Sequence, residues 1–208
     1  MEEQEPDRQE EEHGESASYF ARWTDRYKEA REYLYGTMGE EPDEEAAHEI
    51  MLEEAEQGNA YAMHDMGKIY AQGIGCEADK EMADVWYKKA LAAMHYVEQK
   101  KRNTYLEYRI GKMYQYGLGT DETLEQAGEW FSKAAAKEHK YALYSLGMLY
   151  LQGKGVEQDE ETAYSLLFRS YSKGNPYAAY ELGKLYETGC GTEKNQEKSE
   201  NCYRVAFL

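Results

Sequence analysis

Lys68, Arg109, Lys112 and Lys184 put positive charge at matching positions of a chain whose formal net charge is −17. Ammonium and guanidinium groups bind carboxylates through charge-assisted hydrogen bonds, so the chemistry on offer is recognition of an acidic peptide or a terminal carboxylate. Tyr116 falls in the same pattern and supplies an aromatic anchor, while Met148 and Gln152 are neutral members of the stripe. The complete stripe takes the positions two before, one after and five after a recurring glycine: Asp65, Lys68, Gln72; Arg109, Lys112, Tyr116; Ser145, Met148, Gln152; Glu181, Lys184, Thr188. It reads as a line of side chains turned away from the core, and an ordinary solvated helix face fits the same residues.

Other chemistries find less to work with. Cys76, Cys190 and Cys202 are an odd, irregular set and read as free thiols. His13, His48, His64, His95 and His139 are scattered without metal-ligand spacing, so neither a metal nor a cofactor is expected. Gly-x-Gly recurs but joins helix to helix and lacks the lysine of a phosphate loop. Carboxylates are abundant with no pair singled out for proton transfer, which points away from catalysis.

The elements that position the stripe are set by a ladder of glycines. Gly67, Gly111, Gly147 and Gly183 are each followed three residues later by Tyr70, Tyr114, Tyr150 or Tyr186, then by a Gly-x-Gly. Each unit next carries Asp79, Thr123, Asp159 or Asn195, residues whose side-chain oxygens cap helix N-termini, and Thr123 with Gln126 reads as a capping box. Each unit is therefore two helices, and repetition of one such unit predicts an all-α solenoid. A glycine within a helix costs roughly 1 kcal/mol relative to alanine, so its recurrence implies close approach of a neighbouring backbone. The tyrosine ladder reads as packing between helices. The second helices bury Trp86 and Tyr87, Trp130 and Phe131, Leu166 and Leu167, or Cys202 and Tyr203.

The step between units is 36 residues except from Gly67 to Gly111, where it is 44. The eight extra residues, near Met94 to Asn103, are expected to add one turn to each of the two helices that flank the junction. Projected backwards, the period lands on Gly39, Asp43, Ala47, Ile50 and Met51, with Arg31 where the helical glycine would stand. The expected layout is an acidic disordered segment at 1–17, a degenerate capping repeat at 18–58, and four repeats at about 59–102, 103–138, 139–174 and 175–208. The last repeat has no polar capping helix after it, so the surface around Val205 to Leu208 is expected to be apolar and open to homodimer formation.

The run from Tyr141 to Asp159, Tyr-Ala-Leu-Tyr-Ser-Leu-Gly-Met-Leu-Tyr-Leu-Gln-Gly-Lys-Gly-Val-Glu-Gln-Asp, followed by Ala163, resembles the Sel-one-like repeat, a relative of the tetratricopeptide repeat. The resemblance covers about residues 40–208 and implies a right-handed helical solenoid acting as an adaptor in complex assembly. First helices in repeats of this type are expected to line the concave face, which would join the stripe into one groove. The stretch Tyr105 to Gly119 also resembles repeat arrays fused behind relaxases of Gram-positive mobile elements, although this chain shows no paired-histidine motif before the array.

Between Met1 and Ala17 stand eight acids against Arg8, a local charge of −7 with almost nothing apolar to bury. That start is not a signal peptide, nothing further on reads as a membrane span, and the expected compartment is the cytoplasm. The acidic balance argues against nucleic-acid binding by the chain alone. Two function classes follow: a non-catalytic adaptor that holds a protein or peptide in its groove, or an accessory docking module of a DNA-mobilisation system in which Lys100, Lys101 and Arg102 reach phosphate.

Overall fold

The computed structural model describes residues 19–36 and 41–207. The disorder expected of residues 1–17, the projected Gly39 and the terminal Leu208 lie outside them. Among the described residues stand ten α-helices: α1 (Asp25–Tyr35), α2 (Glu44–Glu56), α3 (Ala60–Gln72), α4 (Lys80–Lys100), α5 (Thr104–Tyr116), α6 (Leu124–Ala136), α7 (Lys140–Gln152), α8 (Glu160–Ser172), α9 (Pro176–Thr188) and α10 (Gln196–Ala206). They pair as α1/α2 through α9/α10, and each pair also packs on the next. Among the described residues there is no strand, only one isolated bridge between Phe20 and Asn59.

Within the four pairs from α3/α4 to α9/α10 the turn closes by the same two devices. Gly73, Gly117, Gly153 and Gly189 end the first helices in the left-handed conformation. The amide of the next N-cap residue then donates back to the ladder tyrosine: Asp79 to the Tyr70 carbonyl at 2.8 Å, Thr123 to Tyr114 at 3.1 Å, Asp159 to Tyr150 at 3.1 Å and Asn195 to Tyr186 at 2.8 Å. The ladder tyrosine thus serves the turn with its backbone while its half-buried or buried ring packs against the core. Asp79, Asp159 and Asn195 cap as expected. Thr123 does not: its hydroxyl donates to Gln126 Oε1 at 3.0 Å, so the capping box is replaced by a side-chain pair.

The helical glycines are forced by side chains rather than by backbone. A Cβ on Gly67, Gly111 or Gly183 would lie 2.5 Å from the Tyr87 ring, 2.6 Å from Phe131 or 2.6 Å from Tyr203, residues of the second helix of the same pair. At Gly147 the obstacle is Leu167 Cγ at 3.0 Å with the Ala163 carbonyl at 3.3 Å. Close backbone approach belongs instead to the last glycine of each Gly-x-Gly. At Gly119 a Cβ would sit 2.5 Å from the Lys88 nitrogen, and Gly75, Gly155 and Gly191 meet Glu44, Leu124 and Glu160 backbone in the same way. Those glycines fix how one pair stacks on the next.

The eight surplus residues are not shared. α4 has 21 residues, whereas α5, α6 and α8 each have 13, so the whole surplus extends α4. Its added turns give a seat to the segment before α1. Tyr19 meets Tyr96 edge-on at 5.8 Å, and Phe20 exchanges backbone hydrogen bonds with the α2–α3 turn, its amide to the Gly58 carbonyl at 3.0 Å and its carbonyl to the Ala60 amide at 2.8 Å. An α5 lengthened by one turn would have left that segment without a wall. At the other end Val205 and Phe207 are exposed, the latter by 79%, although its ring also meets Tyr180 at 6.1 Å.

Candidate ligand-binding cleft on the first-helix face

Successive first helices lie side by side, so their side chains meet across each junction. This changes the reading of the stripe. The positions two before the glycine face the adjacent helix: Asp65, Arg109 and Ser145 are buried and Glu181 is half-buried. Positions one after it are half-buried at Lys68, Lys112 and Met148 and exposed at Lys184, and positions five after it, Gln72, Tyr116, Gln152 and Thr188, are exposed. The line therefore runs from a buried floor to an open rim, and Arg109 belongs to the floor.

On that floor Arg109 Nη2 lies 3.1 Å from Asp65 Oδ1 and 2.6 Å from His64 Nδ1, with the guanidinium 5.1 Å from the Tyr61 ring centre. The Tyr27 hydroxyl donates to Asp65 Oδ2 at 2.7 Å, and Arg31 approaches the same carboxylate at 3.6 Å. Burial alone would raise the Asp65 carboxyl, but the Arg109 charge and the donated hydrogen bonds hold it well below the usual carboxylate range. Burial pushes His64 down, and Arg109 pushes the same way. His64 Nδ1 also lies 3.0 Å from Asp65 Oδ1, so this nitrogen faces a donor, Arg109, and an acceptor, Asp65, at once, and the ring tautomer decides which of the two it pairs with.

Above this floor opens a cleft of about 580 Å³ between α1, α3 and α5. Arg31 stacks over Trp23 at 5.0 Å and Tyr35 at 5.1 Å. Lys68 Nζ donates to the Tyr35 hydroxyl at 3.1 Å, and Lys112 Nζ donates to the Tyr116 hydroxyl at 2.9 Å while lying 4.3 Å from its ring centre. Four cations and one acid, Asp65, line it, and that acid is already paired. Lys184 is not part of the cleft: it pairs with Glu181 at 3.2 Å in the last repeat. Met148 and Gln152 also lie outside its lining.

Arg31, Tyr35 and Trp23 were the residues that the repeat pattern hid. Their signal was the arginine standing where every later unit has its helical glycine. A broader hollow of about 1200 Å³ on the turn side is lined by Glu157, Asp159, Glu160, Glu161 and Glu193. It follows from the stacking of two turns, and Asp159 there is occupied as a helix cap. Among the described residues no group of three or more His, Cys, Asp or Glu side chains could hold a metal, and no helix is long and apolar enough to cross a membrane.

A helical array built from paired, glycine-framed repeats is the class that this fold defines. The Sel1 repeat model matches residues 27–59, 60–93, 105–139, 140–175 and 176–207, so the chain belongs to the Sel1 repeat family. Proteins of this family are generally protein-interaction scaffolds without catalysis of their own. No curated protein matches the chain. Among solved structures it is similar to a Sel1 repeat protein from Oxalobacter formigenes, at 26% identity and a TM-score of 0.67, over 88% of this chain and 69% of that one. It is also similar to c5321, a protective antigen of uropathogenic Escherichia coli with an SLR fold, at 27% identity and a TM-score of 0.58. Here 88% of this chain spans 37% of that one. Immunity protein Pa5087 from Pseudomonas aeruginosa shares the fold at 20% identity, with a TM-score of 0.53 over 88% of this chain and 80% of that one.

Proposed function

We propose that the chain is a scaffold that holds an acidic segment of a partner protein in the cleft between α1, α3 and α5. The observation that carries this reading is the sign of the cleft: Arg31, Lys68, Arg109 and Lys112 face Asp65 alone in a protein of net charge −17. The Asp65–Arg109 pair offsets its own charges, so the ligand's carboxylates go to Lys68, Lys112 and Arg31. Each of these already rests on an aromatic ring, which orients it without neutralising it. Partly exposed charges of this kind steer encounter and give modest affinity that falls with added salt.

The test is an anisotropy titration of the chain with a fluorescein-labelled glutamate-rich peptide, against a lysine-rich peptide of equal length. Lys68→Glu with Lys112→Glu should abolish binding of the acidic peptide. Equal binding by the parent and this variant would remove the cleft as the site.

A further inference from the structure

The first helices carry a second periodic feature, of which only the first members, His64, Tyr105 and Tyr108, line the charged cleft. Six and three residues before each helical glycine stand Tyr61 and His64, Tyr105 and Tyr108, Tyr141 and Tyr144, Tyr177 and Tyr180. At the later junctions the ring three before one glycine meets the ring six before the next: Tyr108 with Tyr141 at 6.1 Å and Tyr144 with Tyr177 at 6.1 Å. These rings emerge progressively from the core. Tyr61 is 1% exposed, Tyr141 36% and Tyr177 64%. Burial therefore explains the first of them and not the last.

The emerging rings continue the cleft. Tyr116, on its rim and 60% exposed, lines the cleft together with Tyr108, whose ring meets Tyr141 of the next repeat. Beyond them a hollow of about 580 Å³ is lined by Tyr144, Pro176, Tyr177, Tyr180, Glu181 and Phe207. Lys184 pairs with the single acid there, so this hollow is close to neutral where the first cleft is cationic. A ligand that follows the track meets charge first and flat apolar rings afterwards.

The rings select its conformation. A polyproline II segment is extended before it binds and docks in aromatic-lined grooves. Such aromatic pairs stand at the two later junctions, Tyr108 with Tyr141 and Tyr144 with Tyr177. Proline is the residue that stacks on tyrosine-lined grooves in this conformation at low entropic cost.

Resting on the proposed cleft, we infer that its ligand is an extended, proline-containing segment of the partner with acidic residues at one end. The acidic end lies over Lys68 and Lys112, and the prolines lie over Tyr144, Tyr177 and Tyr180. The experiment titrates the full chain with two labelled peptides that share a glutamate-rich end, one continuing in Pro-Pro-x repeats and the other in glycine and serine. The proline peptide should bind about tenfold more tightly through its preorganisation. Tyr177→Ala with Tyr180→Ala should bring it to the level of the glycine-serine peptide and leave the latter unchanged. Should that variant misfold, Tyr177→Ser alone, at a well-exposed ring, carries the same comparison. Equal binding of the two peptides, both weakened by Lys112→Glu, would overturn the proline assignment and leave the cleft intact. Binding of neither would overturn both. Tighter binding of a single-stranded oligothymidylate would assign the rings to base stacking and overturn it as well.

Discussion

Arg109 Nη2 stands 3.1 Å from Asp65 Oδ1 across the junction between α3 and α5, with both side chains buried. The pair ties two successive first helices together under the cleft and sets the height of its floor. Replacing Arg109 by Met leaves the Asp65 charge buried, and breaking such a pair costs about 3–5 kcal/mol. The Tyr27 hydroxyl and Arg31 still reach Asp65, so the lower end of that range is expected. Urea denaturation of Arg109→Met, Asp65→Leu and the double variant measures it. The double variant should be more stable than the sum of the single losses predicts, and strict additivity would show that the two side chains do not act as a pair.

That pair also shows how far the sequence could be read. Glycine spacing, the Gly-x-Gly turns and the cap residues are local signals, so the helix pairs and their order are legible in the sequence itself. Register between neighbouring pairs is not local. Arg109 looked like a solvent cation because its helix alone has an open side there; only the side-by-side placement of α3 and α5 turns that side into an interface. The eight surplus residues were legible as a surplus, but not their assignment to α4, whose added turns bring Tyr96 to Tyr19, a contact between segments far apart in the chain. Lys68, Lys112 and Tyr116 could be placed on the open side of their helices because they lie farther out on them.

Stability should fall on acidification before the general carboxylate transition. His64 has a lowered pKa because burial and Arg109 disfavour its charged form, and burial likewise lowers His95 and His139. The unfolded chain therefore binds protons from about pH 6.5 downwards that the folded chain refuses. Their contribution is complete above that pH and shrinks as pH drops through it. Asp65, with its pKa held down, works in the same direction at lower pH: its contribution is complete above about pH 4 and fades below it. Melting temperature should thus rise from pH 5 to pH 7, and His64→Gln should flatten part of that rise. An unchanged slope in the variant would show that His64 is accessible to protons in the folded chain.

Two glycines with like backbone angles should respond differently to alanine. Gly119 has φ of +69° and its Cβ would meet the backbone of Tyr87 and Lys88 at the contact between repeats. Gly174 has φ of +73° with nothing within 4 Å. Gly174→Ala pays only left-handed strain, about 1–2 kcal/mol. Gly119→Ala adds displacement of one helix pair from the next, for a total of several kcal/mol on the order of an overpacked core. Thermal melts of the two variants decide this; equal losses would mean that the close approach is not part of the stacking.

Removing the ring of Tyr96 should loosen the segment before α1 without melting the array. Tyr96 lies on the added turns of α4 and is 43% exposed, so the helix itself needs no ring there. Its edge-on contact with Tyr19 is of a kind worth about 0.5–1.5 kcal/mol. That contact backs the hydrogen bonds from Phe20 to Gly58 and from Ala60 to Phe20. In Tyr96→Ala, amide exchange at Phe20 and Ala60 should quicken by about two- to tenfold, the rate equivalent of that free energy. Exchange in α5 and α7 should stay as in the parent. If Phe20 exchanges no faster, the segment is held by its backbone bonds alone, and the lengthening of α4 must serve something other than seating it.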